Sequence, residues 1–341
     1  MGCRKAMLAA FSGCLSMLLV TGGAGFIGSN LIAALNSAGR ADIVVNDTLG
    51  TDEKWRNLQK RQIADFIPPV DLFKWLHARK LDAVVHLGAN SDTTAKDGDE
   101  VIATNFRLSL ALLDWCTQTG TRFIYASSGA TYGDGSHGFE DDWSVPALRR
   151  LAPLNLYGWS KHIFDLVVAE RASREAPLPP QWVGLKFFNV FGPNEYHKGH
   201  MASVLARVFD DVQADRPVRL FKSHREGIAD GDQRRDFIYV DDAVAVIQWC
   251  LAAPSVAGIF NVGTGTARSF RDLVTALFTA LQREPHIDYV DMPEAIRDRY
   301  QYFTQSTTQN LRAAGFRGAF TPLEQAVADY ASVLGRPDRY R

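Results

Sequence analysis

The sequence predicts an α/β fold, a doubly wound parallel sheet with a smaller C-terminal α/β lobe, on three observations. Short β-branched or aromatic runs alternate with helical patterns through the first half of the chain. Those runs are apolar almost without interruption, as strands covered on both faces are. A glycine-rich turn, TGGAGFIG at 21–28, joins the first run to the first helical pattern, where a βαβ unit makes its tightest connection.

Taken in order, the strands are expected at 18–20, 43–46, 83–87, 122–126 and 183–188, and the helices between them at 26–38, 70–78, 105–119 and 156–171. Beyond 188 the pattern loosens. Pro193, Pro217 and a polar stretch at 223–235 read as loop, and runs at 236–240 and 258–262, flanking a helix at 241–253, return to the sheet. A helix at 270–282, a strand at 286–290 and a helix at 323–334 complete the smaller lobe. The expected division is a disordered N-terminal extension at 1–16, a cofactor-binding domain from 17–190 plus 236–265, and a substrate-binding domain from 191–235 plus 266–335.

Composition narrows the function. With 37 basic against 38 acidic residues in 341, the chain has no electrostatic footprint for nucleic acid, and a small molecule is the expected partner. Cys3, Cys14, Cys116 and Cys250 follow no zinc or disulfide spacing and read as reduced thiols in a cytoplasm. Arg4-Lys5 followed by apolar residues mimics a secretory signal. Cleavage there would destroy the strand that enters the glycine turn, so residues 1–16 read as a frayed extension and Met17 as an alternative start. No stretch approaches the ~20 apolar residues of a membrane span. No HExxH or carboxylate cluster suggests a metal, and His86, His162 and His286 read as packed rather than ligating.

Gly23-x-Gly25-x-x-Gly28 after a strand and at a helix start is the dinucleotide fingerprint of a Rossmann sheet. Asp47, 19 residues past Gly28 at the end of the second strand, is placed to accept from a ribose hydroxyl and favours NAD. Lys54, Arg56, Lys60 and Arg61 follow; they either form a solvated face or hold a 2′-phosphate, which leaves NADP and NAD open on these residues. Ser127 and Ser128 end the fourth strand at the carboxyl edge, where open α/β sheets bind ligands. Tyr157 and Lys161, at i and i+4 on a helix, share one face. The ammonium is expected to lower the phenol pKa so that Tyr157 acts as general base on an alcohol, with Ser128 binding the same oxygen.

TGGAGFIGSN, YASS at 125–128, YGWSK at 157–161 and FNVFGP at 188–193 together resemble the extended short-chain dehydrogenase/reductase superfamily that modifies nucleotide sugars. The resemblance covers essentially 17–335. Within that group, 4,6-dehydratases carry an Asp-Glu pair after the strand-end hydroxyl; Gly129 and Ala130 stand there in this chain, which disfavours dehydration.

Three further blocks, NEYHKGHMASV at 194–204, RYQYFTQ at 299–305 and NLRAAG at 310–315, resemble the ADP-L-glycero-D-manno-heptose 6-epimerases of lipopolysaccharide core synthesis. That resemblance implies a tightly bound NADP, NAD being the other option, and a cycle in which C6 is oxidised to a ketone that turns over and receives the same hydride on its other face. It assigns the two acid/base roles to Tyr157 and Lys198, beside Ser128 and Lys161. It places Gly22, Gly25, Phe26, Ile27, Gly28, Asp47, Thr48, Lys54, Leu87, Gly88, Ala89, Asn90, Ser91, Lys161 and Val190 at the cofactor. Asn105 joins them or is simply a helix-start residue. Ser128, Asn189, His200, Arg207, Phe221, Lys222, Ser223, His224, Arg235 and Tyr300 fall to the ADP-sugar, with Arg235 suited to clamp a diphosphate bidentately.

The chain departs from the family pattern at His200, often serine, at Arg207, often histidine, and at Pro69, where members carry a second base for the 2′-phosphate. The resemblance also implies a homo-oligomer, commonly a pentamer. Two other readings stand beside it: another nucleotide-sugar epimerase or net reductase on the same scaffold, and a non-catalytic NAD(P)-binding scaffold.

Overall fold

A computed structural model of the protein describes residues 17–297 and 300–341. The expectation for 1–16, Cys3 and Cys14 among them, lies outside the described residues. Seven strands form one wholly parallel sheet: β1 (Leu18–Thr21), β2 (Ile43–Asn46), β3 (Asp65–Ile67), β4 (Ala83–His86), β5 (Arg122–Ser128), β6 (Trp182–Phe187) and, further along the chain, β10 (Gly258–Val262). Their order is β10-β6-β5-β4-β1-β2-β3. The order reverses after β3, where the chain returns across β1 to β4, so the carboxyl ends of β1 and β4 flank the crevice in which such sheets bind ligands.

Because side chains alternate across a strand, each strand feeds two cores. Leu18, Val20, Ile43, Val45, Val85 and Ile124 face one cluster. Leu19, Val44, Val84, Phe123 and Tyr125 face the other. Among the described residues seven helices have ten residues or more: α1 (Phe26–Ser37), α2 (Leu108–Thr119), α3 (Leu156–Ser173), α4 (Val204–Gln213), α5 (Val240–Ala252), α6 (Phe270–Ala280) and α7 (Leu323–Leu334). Helices α1 and α5 cover the first face, and α2 and α3 the second. No helix among the described residues is long and apolar enough to cross a membrane.

Two small sheets build the rest. β7 (Asn189–Phe191), β9 (Arg234–Tyr239) and β11 (Ala267–Ser269) form one, and β8 (Val218–Phe221) pairs with β12 (Ile287–Val290) in the other. The run expected at 236–240 therefore does not return to the main sheet. It pairs with β7 and β11 instead, because β10 already occupies the edge beside β6. The helix expected at 70–78 is shorter, Leu72–Leu76, entered through a proline turn at Pro69–Asp71.

Candidate active site

A cleft of about 500 Å³ opens along the carboxyl edge of the main sheet. The glycine turn forms its floor. A Cβ on Gly28 would lie 2.2 Å from the Gly22 carbonyl oxygen, so the close turn exists only with glycine there. Gly25 precedes α1, and no side chain caps that helix. Its first amides and the positive end of its dipole thus remain for an anion, which is the fit a dinucleotide pyrophosphate requires. Asp47 braces the turn by accepting from the Ala24 amide at 2.9 Å, and its other oxygen holds the Lys54 ammonium at 2.7 Å. The acidic end of β2 thus carries its own cation.

Gly22, Gly25, Phe26, Ile27, Gly28, Asp47 and Lys54 all line the cleft, as do Leu87, Gly88, Ala89 and Ser91 after β4, and Val190. Thr48, Asn90 and Asn105 lie outside the lining. Thr48 offers its carbonyl to Lys54 at 2.9 Å. Asn105 is no helix-start residue. It sits fully buried inside a π-helical segment, Ile102–Arg107, that leads into α2. From there it accepts from the Asn90 amide at 2.8 Å, and donates to the Asn90 carbonyl and the Ser160 hydroxyl at 2.9 Å each. A π-turn aims this amide where regular winding would not, and it ties the loop after β4 to the helix that carries Tyr157.

Tyr157 and Lys161 project from the first turns of α3. Asn155 caps that helix by accepting from the Gly158 amide at 2.8 Å. Gly158 lets it abut the turn after β5, since a Cβ there would stand 2.7 Å from the Ala130 carbonyl oxygen. This contact brings Tyr157 to the same cleft wall as Ser128, whose hydroxyl accepts from the Ala130 amide at 3.1 Å. The balance of charge differs from the sequence expectation that Lys161 draws the phenol toward ionisation. Burial raises the Tyr157 pKa, the Ser128 hydroxyl opposes that rise, and the Asp165 carboxylate adds to it. Burial likewise pushes Lys161 down to about 8. Desolvation penalises the charged form of each partner, so the pair sits as a neutral phenol beside an ammonium close to losing its proton.

Lys198 also lines the cleft, from a short 3₁₀ segment, Tyr196–Met201. Glu195, fully buried, staples the ends of that segment, accepting from the Gly192 amide at 3.3 Å and from the Ser203 amide and hydroxyl at 2.6 and 2.7 Å. The Lys198 ammonium lies 5.3 Å from the Phe26 ring centroid, and burial lowers its pKa. A lysine so placed exchanges a proton more readily than a solvated one.

The residues expected at the sugar nucleotide separate into two groups. Ser128, Asn189 and Arg207 line the cleft. His200 lies outside the lining, two-thirds exposed and 3.7 Å from Asp92. Phe221, Lys222, Ser223, His224, Arg235 and Tyr300 gather beside the smaller lobe. Arg235 is buried at 7% exposure between the rings of Tyr300, at 5.1 Å, and Phe270, at 5.7 Å, and Phe270 itself lines the cleft. Its hydrogen bond is to the Arg234 carbonyl, and among the described residues no carboxylate pairs with it. Lys222 pairs with Asp291 at 3.5 Å, the Ser223 hydroxyl donates to the Arg225 carbonyl, and the His224 amide donates to the Tyr302 hydroxyl.

Several neighbours carried no sequence signal of their own. Asn57, fully buried in a short 3₁₀ turn, donates to the Ala24 carbonyl at 2.9 Å and lies 3.2 Å from His197, joining the glycine turn to the Lys198 segment. Gln301 and Thr304 line the cleft from within the RYQYFTQ block. His86 is a core residue as expected: fully buried, it meets Thr21 at 2.6 Å and Ser109 at 2.8 Å.

A parallel sheet with a glycine-rich turn at its carboxyl edge, beside a Ser-Tyr-Lys constellation, is the arrangement of a dinucleotide-dependent class that acts on carbinols, and the chain belongs to the NAD dependent epimerase/dehydratase family, whose model matches residues 18–263. An ADP-L-glycero-D-manno-heptose-6-epimerase of Nitratidesulfovibrio vulgaris is 51% identical over 92% of this chain and 96% of its own length. One of Fusobacterium nucleatum is 42% identical over 95% of this chain and all of its own length. The crystal structure of the Helicobacter pylori ADP-L-glycero-D-manno-heptose-6-epimerase superposes with a TM-score of 0.78 at 28% identity, covering 94% of this chain and 96% of that one.

Proposed function

We propose that this protein is an ADP-glycero-manno-heptose 6-epimerase, interconverting ADP-D-glycero- and ADP-L-glycero-D-manno-heptose through a 6-keto intermediate. The observation that carries the reading is that two acid/base groups from unrelated elements, Tyr157 on α3 and Lys198 on the 196–201 segment, enter one cleft floored by the glycine turn. Inversion at an unactivated carbinol needs proton transfer on either side of the ketone, and one group cannot easily serve both orientations. The names borne by the relatives above supply the sugar.

A nicotinamide bound in the cradle supplies the acceptor for the C6 hydride and its return. The protein's own part is to hold the oxygen and move its proton. Ser128 donates to the substrate oxygen and orients the Tyr157 phenol. Tyr157 exchanges the proton in one orientation, and Lys198 does so when the ketone has turned over. Lys161 holds the nicotinamide ribose. Arg235, which no carboxylate pairs with among the described residues, neutralises the diphosphate. Arg235→Gln is expected to raise KM about tenfold or more with a smaller change in kcat, since a charge-assisted contact is worth about 1.5–3 kcal/mol. An unchanged KM would remove Arg235 from the clamp.

The cofactor is taken as NADP rather than NAD on the family resemblance, and Lys54, paired with Asp47 at 2.7 Å, supports that reading by offsetting the carboxylate that would repel a 2′-phosphate. Lys54→Ala is expected to weaken NADP binding about tenfold while leaving NAD nearly unaffected, read by calorimetric titration of nucleotide-free protein. Equal losses for both would return the choice to NAD. The family resemblance adds a homo-oligomer, commonly a pentamer, which light scattering checks, and the scattered cysteines support a cytoplasmic location.

The experiment that tests the function is proton NMR of the purified protein with ADP-D-glycero-D-manno-heptose. Equilibration of the C6 signals without added cofactor establishes the epimerase and its retained nucleotide. Consumption of added NADPH would move the reading to a reductase. Bound cofactor without conversion, on a panel of nucleotide sugars, would leave a scaffold.

A further inference from the structure

Behind the Tyr157–Lys161 face lies a charge pair that the reaction outlined above does not use. Asp165 follows Lys161 by four residues on α3, so it extends the same helical face one turn deeper. Its side chain is wholly buried, and so is that of Lys186 on β6, with the ammonium 3.4 Å from the carboxylate. One Asp165 oxygen accepts from the Ser127 hydroxyl at 2.6 Å and the other from the Tyr125 hydroxyl at 3.0 Å, both on β5. Lys186 donates to the Thr131 hydroxyl at 3.0 Å and stands 4.5 Å from the Tyr132 ring centroid. The Thr131 hydroxyl in turn donates to the Ser128 carbonyl at 2.8 Å. Every element that delivers a reacting side chain on this wall is therefore tied to the pair: α3, the end of β5, and the turn after it.

A buried ion pair costs desolvation on both sides and is weak evidence for stability. Its retention in a packed core next to the reactive face calls for another account. We propose that Asp165, neutralised from behind by Lys186, is a positioning residue that sets the charge on Lys161 and the seating of Ser128 against Tyr157. The negative charge raises the proton affinity of both Lys161 and Tyr157. Lys186 pairs with Asp165 from outside the cleft lining, so its ammonium is not added to those on the cleft. The other titratable groups around this face are His86 on β4, pushed by burial to about 3 and so neutral; His162 on α3, also lowered by burial; Tyr125 and Tyr132, both raised by burial and by nearby carboxylates and so neutral; and Asp141, whose carboxylate, with that of Asp165, opposes the lowering of Lys186 by burial.

The inference rests on the epimerase reading for its kinetic arm and has a second arm that does not. Asp165→Asn keeps the shape and an acceptor for Ser127 while removing the charge. The first readout is the pH titration of the Lys161 side-chain carbon resonance in holoprotein with labelled lysine, assigned by its absence in Lys161→Met. It is expected to move down by about one pH unit, because loss of a nearby negative charge disfavours the ammonium. The second is the pH profile of kcat, expected to slide to lower pH on both limbs, with kcat at neutral pH down about tenfold and KM little changed.

Asp165→Asn/Lys186→Met, which leaves no lone buried charge, guards against a single variant that fails to fold and is expected to show a displacement in the same direction but smaller, because the Lys186 charge is lost with that of Asp165. Lys186→Arg is expected to retain the native titration. An unmoved Lys161 resonance in folded variants overturns the proposal, as does a loss of kcat that is equal at every pH. Failure of the unsubstituted enzyme to epimerise the sugar would sink the functional reading alone, since the resonance still decides the role of the pair.

Discussion

Tyr157→Phe is expected to lose about 10²–10⁴-fold in kcat with little change in KM, the range spanned by removal of a general acid/base group. The substitution deletes one hydroxyl and leaves the half-buried ring in place, so packing around α3 is preserved. The diphosphate contact proposed for Arg235 belongs to a different part of the protein and should hold the ground state as before. Lys198→Met is expected to produce a loss of similar size, because an epimerisation needs both orientations of the ketone served and either missing group stops the net reaction. The distinguishing result is the double variant. If the two groups act in successive half-reactions, losing the second adds little to a reaction already blocked by losing the first. NMR-monitored epimerisation decides it, with thermal melts as the control for folding. Retention of a tenth or more of the native rate in either single variant would sink the two-base assignment.

Gly28→Ala carries the second large expectation, the loss of bound nucleotide and of about 1–3 kcal/mol of stability. The added Cβ would sit 2.2 Å from the Gly22 carbonyl oxygen and 2.8 Å from the Gly23 Cα. Both are backbone atoms, with no side-chain rotation available to relieve the clash, so the turn itself must open. An open turn no longer presents the α1 amides together, and the pyrophosphate loses its cradle. Gly25→Ala supplies the contrast. Its Cβ meets only the Gly22 oxygen, at 3.1 Å, and otherwise enters the cleft, so this variant should fold with nearly native stability and still bind nucleotide poorly. Ultraviolet absorbance of the purified proteins and denaturant unfolding separate the two effects. Full nucleotide content in Gly28→Ala would remove the glycine turn from the cofactor site.

Much of the architecture was legible because strand and helix leave periodic traces over short windows. The expected strands at 43–46 and 258–262 match β2 and β10 to the residue, and the helix at 323–334 matches α7. What escaped was short or non-local. β3, β7 and β11 have three residues each, too few to show a period. α4 was missed although its apolar face is buried, because it follows directly on the motif-rich 194–204 block. The pairing of β9 away from the main sheet depends on which edge remained open, a property of the assembled sheet rather than of the run at 234–239.

The candidate site divides along the same line. By itself the sequence marked the glycine turn, Asp47, Ser128, Tyr157 and Lys161 as candidates, because each belongs to a motif whose spacing is set by local geometry: a turn, a strand end, an i,i+4 face; Lys198 was marked only by the family resemblance of the 194–204 block. Only the tertiary structure decided that Lys54 neutralises Asp47, that Asn105 acts from a π-turn, and that Lys186 backs Asp165 across 21 positions of sequence. It also decided the balance between Tyr157 and Lys161. Spacing shows that two groups share a face, but proton affinity is governed by how far each is withdrawn from water, and that is fixed only when the chain closes around them.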